Sequence, residues 1–340
     1  MWRVAREAMR IGIVTPASPN SRSGNRITAL RWAKILRQLG RRVSILQTYD
    51  GTPYDLLLAL HARRSYPSII KFRRQNPQAQ IIVGLTGTDL YRDLRRNHKA
   101  QKSLEIADRI VVLQPKAMEE LRPAWRAKAR VIYQSVEALP RPTSKTRASN
   151  AYINERSNGS FDVCVIGHLR AVKDPFRAAL AARSLPCSSR IRILQMGSAM
   201  TDAMAARARK EMRANPRYEW LGELPRSHVR RILAKSRLSV VASRIEGGAN
   251  VVSEAIAASV PILASRIDGN VGILGEDYPG VFEVGDTQQL ARLMALAETD
   301  REYLAELRDR CKKLAPLFDP IAEEQAWADL ICGLFLIESE

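Results

Sequence analysis

The sequence has few cysteines and no long apolar run, and each shortage excludes a class of protein. Its four cysteines, among 340 residues, are far apart and form neither a CxxC pair nor a disulfide ladder. This favours a reduced, cytoplasmic protein and predicts no zinc or iron–sulfur site. No stretch approaches the roughly 20 apolar residues that a membrane span needs. No apolar segment follows the arginines of residues 1–10 as it would in a secretory signal. We therefore expect no stable membrane insertion.

Acidic residues are scarce in the first part of the chain. Residues 1–150 contain 29 Lys and Arg against 10 Asp and Glu, whereas residues 151–340 contain 25 of each. The formal net charge of +19 therefore comes entirely from residues 1–150. Such an asymmetry indicates that this part of the chain binds something anionic. Nucleic acid, a phospholipid surface and a small phosphorylated substrate are all compatible with the charge alone.

Two series of short apolar strands alternating with amphipathic helices follow one another along the chain. The first begins with a strand at residues 11–15 and the second with a strand at residues 163–166, and the intervening residues 136–160 resemble a linker in composition. Such alternation predicts an α/β fold with parallel sheets, and the length is sufficient for two cores. We predict two doubly wound, Rossmann-like domains that face a central cleft, at residues 1–150 and 151–320. Residues 321–340 are predicted to form a terminal helix that packs back across both domains.

Residues 246–254 place two carboxylates eight positions apart around a predicted strand-to-helix junction. Gly247 and Gly248 let the backbone approach a ligand closely. The helix that follows has unpaired first N–H groups and a positive dipole end, which suit a phosphate. Those N–H groups belong to Ala249, Asn250 and Val251. Glu254 suits two neighbouring ribose hydroxyls, and Glu246 suits whatever is attached to the diphosphate.

Residues 243–261 resemble the E-x7-E signature of retaining family-4 glycosyltransferases, which have the GT-B fold. Ser259 departs mildly from this pattern, because the family usually has Gly there. Residues 166–175 resemble the family segment in which an Arg and a Lys hold the donor diphosphate. Residues 218–224 resemble the segment whose backbone binds the nucleotide base, and residues 23–26 resemble a glycine loop near the donor phosphates.

The resemblance implies a metal-independent transferase that uses a UDP-sugar as co-substrate and needs no cofactor. It implies catalytic roles for Arg170, Lys173 and Glu246. The donor-binding residues that it implies are Gly24, Leu224, Gly247, Gly248, Ala249, Asn250, Val251 and Glu254.

Three further segments narrow the resemblance: residues 23–32, 58–65 and 85–91 are similar to the selenosugar synthase subfamily. That similarity implies transfer of a sugar, N-acetylglucosamine or glucose, from its UDP-sugar to selenophosphate, with formation of a carbon–selenium bond on the route to selenoneine. A small trianionic acceptor fits the basic charge of residues 1–150. The predicted acceptor-binding residues lie at or just beyond predicted strand ends and are Asn25, Arg26, His61, Arg64 and Thr88.

Several of these residues also have a purely structural interpretation. His61 could be a half-buried side chain bonded to the backbone, Arg64 could begin a solvated helix, and Thr88 could cap a helix. A further group of cations is expected to form a solvated helix face, namely Arg92, Arg95, Arg96, Lys99 and Lys102.

Two other functions remain open. A peripheral membrane glycosyltransferase acting on a lipid-linked or other anionic acceptor would use the basic domain to bind anionic lipid, although residues 92–102 have few apolar anchors. A nucleic-acid-binding protein would use the same charge, but Arg170, Lys173 and the E-x7-E pattern would then be unexplained. We predict no nucleic-acid partner.

Overall fold

The computed structural model describes residues 9–21, 23–137 and 159–335. The chain divides into two compact units: Met1–Ser135 together with Asp319–Glu340, and Val136–Phe318. Most of the predicted linker, residues 138–158, lies outside the described residues, as do the arginines within residues 1–8.

The first unit contains a six-stranded sheet in which neighbouring strands are parallel. The strands, in the order β2-β1-β3-β4-β5-β6, are β1 (Arg10–Val14), β2 (Arg42–Leu46), β3 (Leu56–Leu60), β4 (Gln80–Gly84), β5 (Arg109–Val112) and β6 (Ala129–Val131). The helices between them are α1 (Gly24–Gln38), α2 (Ala62–Gln75), α3 (His98–Ile106) and α4 (Pro123–Ala127). A π-helical turn at Asp89–Asp93 precedes α3.

The second unit contains a second parallel six-stranded sheet, in the order β12-β11-β10-β7-β8-β9. Its strands are β7 (Phe161–Ile166), β8 (Ile191–Met196), β9 (Tyr218–Trp220), β10 (Leu238–Val241), β11 (Ile262–Ser265) and β12 (Val281–Phe282). Its helices are α5 (Arg177–Ala182), α6 (Asp202–Ala214), α7 (Arg226–Lys235), α8 (Asn250–Ala257), α9 (Asp268–Leu274), α10 (Thr287–Thr299) and α11 (Arg301–Leu314). The prediction of two doubly wound parallel-sheet units is confirmed.

Strand β3 shows why a near-continuous apolar sequence becomes a central strand. All five of its residues are buried, as expected for a parallel sheet that is covered on both faces. Leu56, Leu58 and Leu60 pack into the hydrophobic cluster that contains α1, whereas Leu57 and Ala59 pack into the cluster that contains α2 and α3. The alternation of a strand thus distributes one leucine-rich segment between two cores.

The last helix, α12 (Pro320–Phe335), packs on the first unit. Trp327 contacts Trp32 of α1 edge-to-face, with ring centroids 4.8 Å apart. Glu323 is buried and accepts hydrogen bonds from Trp32 Nε1 (3.1 Å) and from the Ser135 amide (2.7 Å). Burial raises the pKa of Glu323. The predicted terminal helix therefore exists, although residues 336–340 lie outside the described residues.

Local side-chain contacts determine where two helices of the first unit begin. Helix α2 begins at Ala62 and tolerates Pro67, and α3 begins at His98 because the Asn97 side chain caps it by accepting a hydrogen bond from the Ala100 amide (3.2 Å). Arg95 and Arg96, which we predicted on a helix face, lie instead in the turn between the π-helical turn and α3.

Strand order determines where ligands can bind. In the second sheet β7 and β10 are neighbours but their connections run to opposite sides, which gives the strand order typical of dinucleotide-binding folds. In the first sheet β1 and β3 hold the equivalent position. Ligands of open parallel sheets bind beyond the carboxyl ends of strands at such switch points.

Candidate active site

The switch point of the second sheet brings Lys173 and Glu246 together. Lys173 lies in the loop after β7 and Glu246 in the loop after β10, and the Lys173 ammonium forms an ion pair with the Glu246 carboxylate. The Lys173 and Glu246 side chains are only 20% and 13% exposed. Two residues 73 positions apart in sequence are thus paired at the predicted diphosphate site.

The two loops that carry this ion pair are also joined through their backbones. The Arg244 amide donates to the Val172 carbonyl at 2.8 Å. Asp174, in the left-handed region at φ 43°, binds Arg177 at 2.8 Å and Arg244 at 3.3 Å. These contacts fix the position of Lys173 relative to the loop after β10.

Arg170 begins the 3₁₀ turn that contains Lys173. Its side chain is exposed, and within the described part of the chain it has no ion-pair partner. The structure therefore places both predicted diphosphate-binding cations in one turn, one of them paired internally and the other facing solvent.

Gly269 at the start of α9 determines where the Glu246 backbone lies. A Cβ added to Gly269 would overlap the carbonyl oxygen of Glu246 and would lie 2.9 Å from its Cβ. Gly197 plays a similar part, because a Cβ there would overlap the carbonyl of Gly167 after β7. Sequence analysis missed both residues. Gly197 directly follows β8 and Gly269 lies within a mainly apolar helix, and neither position by itself indicates a close backbone approach.

Helix α8 begins where the sequence predicted. Its N-cap is Ala249, whose side chain cannot accept a hydrogen bond, and the amides of Val252 (2.9 Å) and Ser253 (3.3 Å) both donate to the Ala249 carbonyl. The predicted phosphate-binding residues Ala249, Asn250 and Val251 therefore form the cap and first turn of the helix, where backbone N–H groups have no intrahelical partner. Gly247 and Gly248 form the bend that leads into it.

Glu254 lies one turn into α8 with its side chain only 11% exposed. One carboxylate oxygen binds Arg226 of α7 at 3.0 Å. Arg226 follows Leu224, the predicted base-binding residue, by two positions, so α7 links the loop of Leu224 to Glu254. Sequence analysis did not identify Arg226, because nothing in its neighbourhood indicates a carboxylate partner.

In the first unit, His61 and Thr88 meet beyond β3 and β4. His61 has φ 70°, a left-handed conformation that is uncommon for a residue with a side chain. Its Nε2 lies 3.5 Å from Thr88 Oγ1 and 3.9 Å from Asp93 Oδ2, and its Nδ1 lies 3.5 Å from the Arg64 amide. The side chain is therefore held by its neighbours in a strained backbone conformation.

His61 and Asp89 form a buried polar centre. Burial lowers the pKa of His61, Asp89 and Asp93 oppose this shift, and Arg64 adds to it. Asp89 accepts hydrogen bonds from the backbone amides of Ala62 (3.2 Å), Thr86 (3.0 Å) and Gly87 (2.9 Å). The loop after β4 thus uses its own amides to bind Asp89, and these amides are not free to bind an external anion.

The start of α1 carries the remaining predicted residues. A Cβ added to Gly24 would meet nothing within 4 Å, so packing does not require a glycine there. Asn25 and Arg26 are half-buried in the first turn, and Arg26 Nε has no hydrogen-bond partner in the described structure. Among the described residues, no hydrogen bond or ion pair joins Asn25 or Arg26 to His61, Arg64 or Thr88. They share only the carboxyl edge of the first sheet, after the neighbouring strands β1 and β3.

The described residues contain neither a candidate metal site nor a membrane-spanning helix. No group of three or more His, Cys, Asp or Glu side chains among them could hold a metal ion. No helix among them is long and apolar enough to cross a membrane.

Known glycosyl transferases match this chain in sequence. The family described as "Glycosyl transferases group 1" matches residues 148–317, half of the chain. A Xenopus tropicalis protein, "Glycosyltransferase 1 domain-containing protein 1", is 23% identical over 236 residues, which cover 67% of this chain and 68% of that protein.

Solved structures share the fold at low sequence identity. HepE from Anabaena, in complex with UDP and glucose, matches with a TM-score of 0.73 and 16% identity, over 96% of this chain and 100% of that chain. Sucrose-phosphate synthase from Thermosynechococcus elongatus matches with a TM-score of 0.76 and 16% identity, over 97% of this chain and 100% of that one. The GT-B fold class predicted from the sequence is confirmed.

Proposed function

Because the chain belongs to the group 1 glycosyl transferases, we propose that it transfers a sugar from a UDP-sugar to selenophosphate with retention of configuration. The observation that carries the donor half is the placement of Lys173 and Glu246 at the switch point of the second sheet, beside the capped end of α8. HepE, a protein of the same fold, was solved with UDP and glucose. The selenophosphate half rests on the sequence resemblance and on the cations of the first unit.

The donor is expected to lie along the loops after β7 and β10. Glu254 accepts hydrogen bonds from the ribose hydroxyls, and the backbone near Leu224 contacts the base. The diphosphate binds the first amides of α8 together with Arg170 and Lys173. Because Lys173 is already paired with Glu246, both side chains are positioned before the donor arrives, which limits the reorganisation needed in the transition state.

The chemical step exchanges one bond for another. The bond between the anomeric carbon and the diphosphate oxygen breaks, and its electron pair leaves with UDP. A selenium lone pair then forms the carbon–selenium bond. Arg170, Lys173 and the α8 amides stabilise the negative charge that grows on the leaving diphosphate, and Glu246 holds the sugar and Lys173.

The acceptor requires cations rather than a base. Selenophosphate carries an already anionic selenium, so no side chain has to remove a proton from it. The lowered pKa of His61 keeps its imidazole neutral near pH 7, which suits hydrogen bonding and not charge pairing. We therefore propose that Arg26 and Arg64 balance the charge of the acceptor, that Asn25 and Thr88 form hydrogen bonds to it, and that the buried His61 positions Arg64.

Incubation of the purified protein with UDP-N-acetylglucosamine or UDP-glucose tests this proposal. We expect UDP release that depends on selenophosphate and loss of this release in Lys173→Ala. The expected product has the mass of the sugar joined through selenium to phosphate, or that of the selenosugar once water has cleaved the Se–P bond. Release of UDP only in the presence of liposomes containing a polyprenyl phosphate would identify a lipid-linked acceptor instead. Absence of UDP release with every acceptor would contradict the proposed reaction.

A further inference from the structure

An open pocket of about 590 Å³ in the first unit has no acidic residue in its lining. It lies where α2 and α3 begin and is lined by Arg63, Arg64, Asn97, His98 and Lys99. His61, although it caps α2, is buried and does not line this pocket.

The carboxylates around the pocket are already bound to other groups. Asp93 binds Arg63 at 2.7 Å and Arg92 at 3.2 Å. Glu105 binds Lys102 at 2.8 Å, and Glu120 binds Arg95 at 2.6 Å. Within the described residues, none of these carboxylates forms an ion pair with Arg64 or Lys99.

Arg64 and Lys99 are the cations that remain. Both side chains are exposed, and within residues 9–21, 23–137 and 159–335 neither has an ion-pair partner. Asn97 uses its side-chain oxygen to cap α3, so its amide nitrogen is available as a donor to the pocket. A guanidinium, an ammonium and an amide that line one concave surface fit an oxyanion.

We propose that this pocket binds a phosphate-type dianion, with Arg64 and Lys99 as the charged ligands and Asn97 and His98 as hydrogen-bonding neighbours. His61 then acts as a positioning residue, because its Nδ1 accepts from the Arg64 amide and so fixes the start of α2. If the anion is identified as the phosphate group of the acceptor, that step rests on the proposed function. Binding of inorganic phosphate by the pocket does not depend on that step.

Calorimetric titration of the purified full-length protein with inorganic phosphate at low salt tests the pocket. Loss of one charged hydrogen bond corresponds to a roughly tenfold weaker Kd, so we expect that change in both Arg64→Ala and Lys99→Ala. The matched control is Lys102→Ala, which removes a lysine from the same helix where it pairs with Glu105. We expect its Kd for phosphate to stay within about twofold of the wild type, because a surface ion pair contributes little.

Two results would overturn the proposal. Equal weakening in Lys99→Ala and Lys102→Ala would mean that phosphate responds to the general field of the first unit. An unchanged Kd for phosphate in Arg64→Ala and Lys99→Ala would show that the pocket does not bind phosphate. A parallel experiment uses vesicles of phosphatidylcholine with phosphatidic acid to test for a lipid headgroup. The proposal would also be overturned if the wild type bound these vesicles and Lys99→Ala abolished vesicle binding without changing the Kd for free phosphate.

The same experiment separates the pocket from the proposed reaction. Lys173→Ala, in the second unit, is expected to bind phosphate like the wild type while it loses transfer. If wild-type protein binds phosphate through Lys99 but transfers no sugar to selenophosphate, the pocket is supported and the proposed reaction fails.

Discussion

The two units differ in whether the cations of their candidate sites are paired with carboxylates. In the second unit two cations of the site are paired with carboxylates of the same unit, Lys173 with Glu246 and Arg226 with Glu254, whereas Arg170 has no ion-pair partner among the described residues. In the first unit Arg64 and Lys99 line a pocket and have no such partner in the described structure. The second unit thus contains a site whose geometry is fixed by internal ion pairs, and the first contains one whose charge is left for an external anion.

This difference has a physical consequence for binding. A ligand of the second unit must share or displace existing ion pairs, so charge contributes less to its affinity than orientation does. A ligand of the first unit meets exposed cations, so its affinity should fall as salt screens their charge. The following variants test whether the two units differ in this way.

Lys173→Ala is expected to have the largest effect. Removal of one preorganised charge from the leaving group lowers kcat by on the order of 10²–10³, while donor affinity changes much less because Lys173 is already paired with Glu246. Steady-state kinetics with a UDP-sugar measures both constants. Lys210→Ala, on exposed α6, is the matched control and should keep wild-type kcat. Equal kinetics in the two variants would remove Lys173 from the mechanism.

Gly269→Ala is expected to disturb the second unit through the Glu246 backbone. The added methyl group overlaps the Glu246 carbonyl, so we expect a loss of about 1–3 kcal/mol in the free energy of unfolding, as for overpacked cores, and a lower kcat. Chemical denaturation measures the first effect. In Gly333→Ala, within α12, the new Cβ meets nothing, and removal of a mid-helix glycine should stabilise by about 0.5–1 kcal/mol. A stable, active Gly269→Ala variant would show that the Glu246 loop is free to move.

Glu254→Ala is expected to raise the donor KM without an equal loss of kcat. The ribose hydroxyls lose a charged acceptor, worth on the order of 1–3 kcal/mol, and Arg226 loses its partner. Glu302→Ala, at the exposed start of α11, removes a carboxylate that has no part in the proposed site. A donor KM that rises equally in both variants would contradict the ribose role.

His61 predicts a small pH dependence of stability in the first unit. Burial lowers its pKa below the ordinary value of 6.5, so below about pH 6.5 the unfolded chain binds this proton more readily than the folded one. The unfolding free energy of the wild type should therefore fall relative to His61→Asn as pH decreases from 6.5, by at most about 1.4 kcal/mol per pH unit. Asn is the matched substitution because it tolerates the positive φ. Parallel denaturation curves of the two proteins at all pH values would contradict a buried neutral imidazole.

The sequence predicted the residue types of the donor site but not how they are arranged. Alternating strands and helices gave the fold class, and the positions of Lys173 and Glu246 after strands indicated the sheet edge. Their pairing depends on β7 and β10 being neighbours, a fact that only tertiary structure supplies. Gly269 matters because of an atom 23 positions away in sequence, and no local pattern reports such an approach.

In the first unit the sequence misjudged how individual charges are used. Lys99 was predicted on a solvated face together with Arg95 and Lys102, yet only the latter two are paired with glutamates. Helix spacing indicates the pair of Lys102 with Glu105, three residues further on, but not that of Arg95, whose partner lies 25 residues away. The bonds of Asp89 to three amides from two loops depend on β3 and β4 lying side by side, which no local pattern reports.

Titration of UDP into the wild type, Glu254→Ala and Arg64→Ala tests most directly whether the second unit, and not the first, binds the nucleotide. The account predicts that Glu254→Ala weakens UDP binding by about tenfold or more, the cost of a charged hydrogen bond, and that Arg64→Ala binds UDP like the wild type. Weaker UDP binding in Arg64→Ala together with wild-type affinity in Glu254→Ala would contradict it, since the nucleotide would then bind to the first unit.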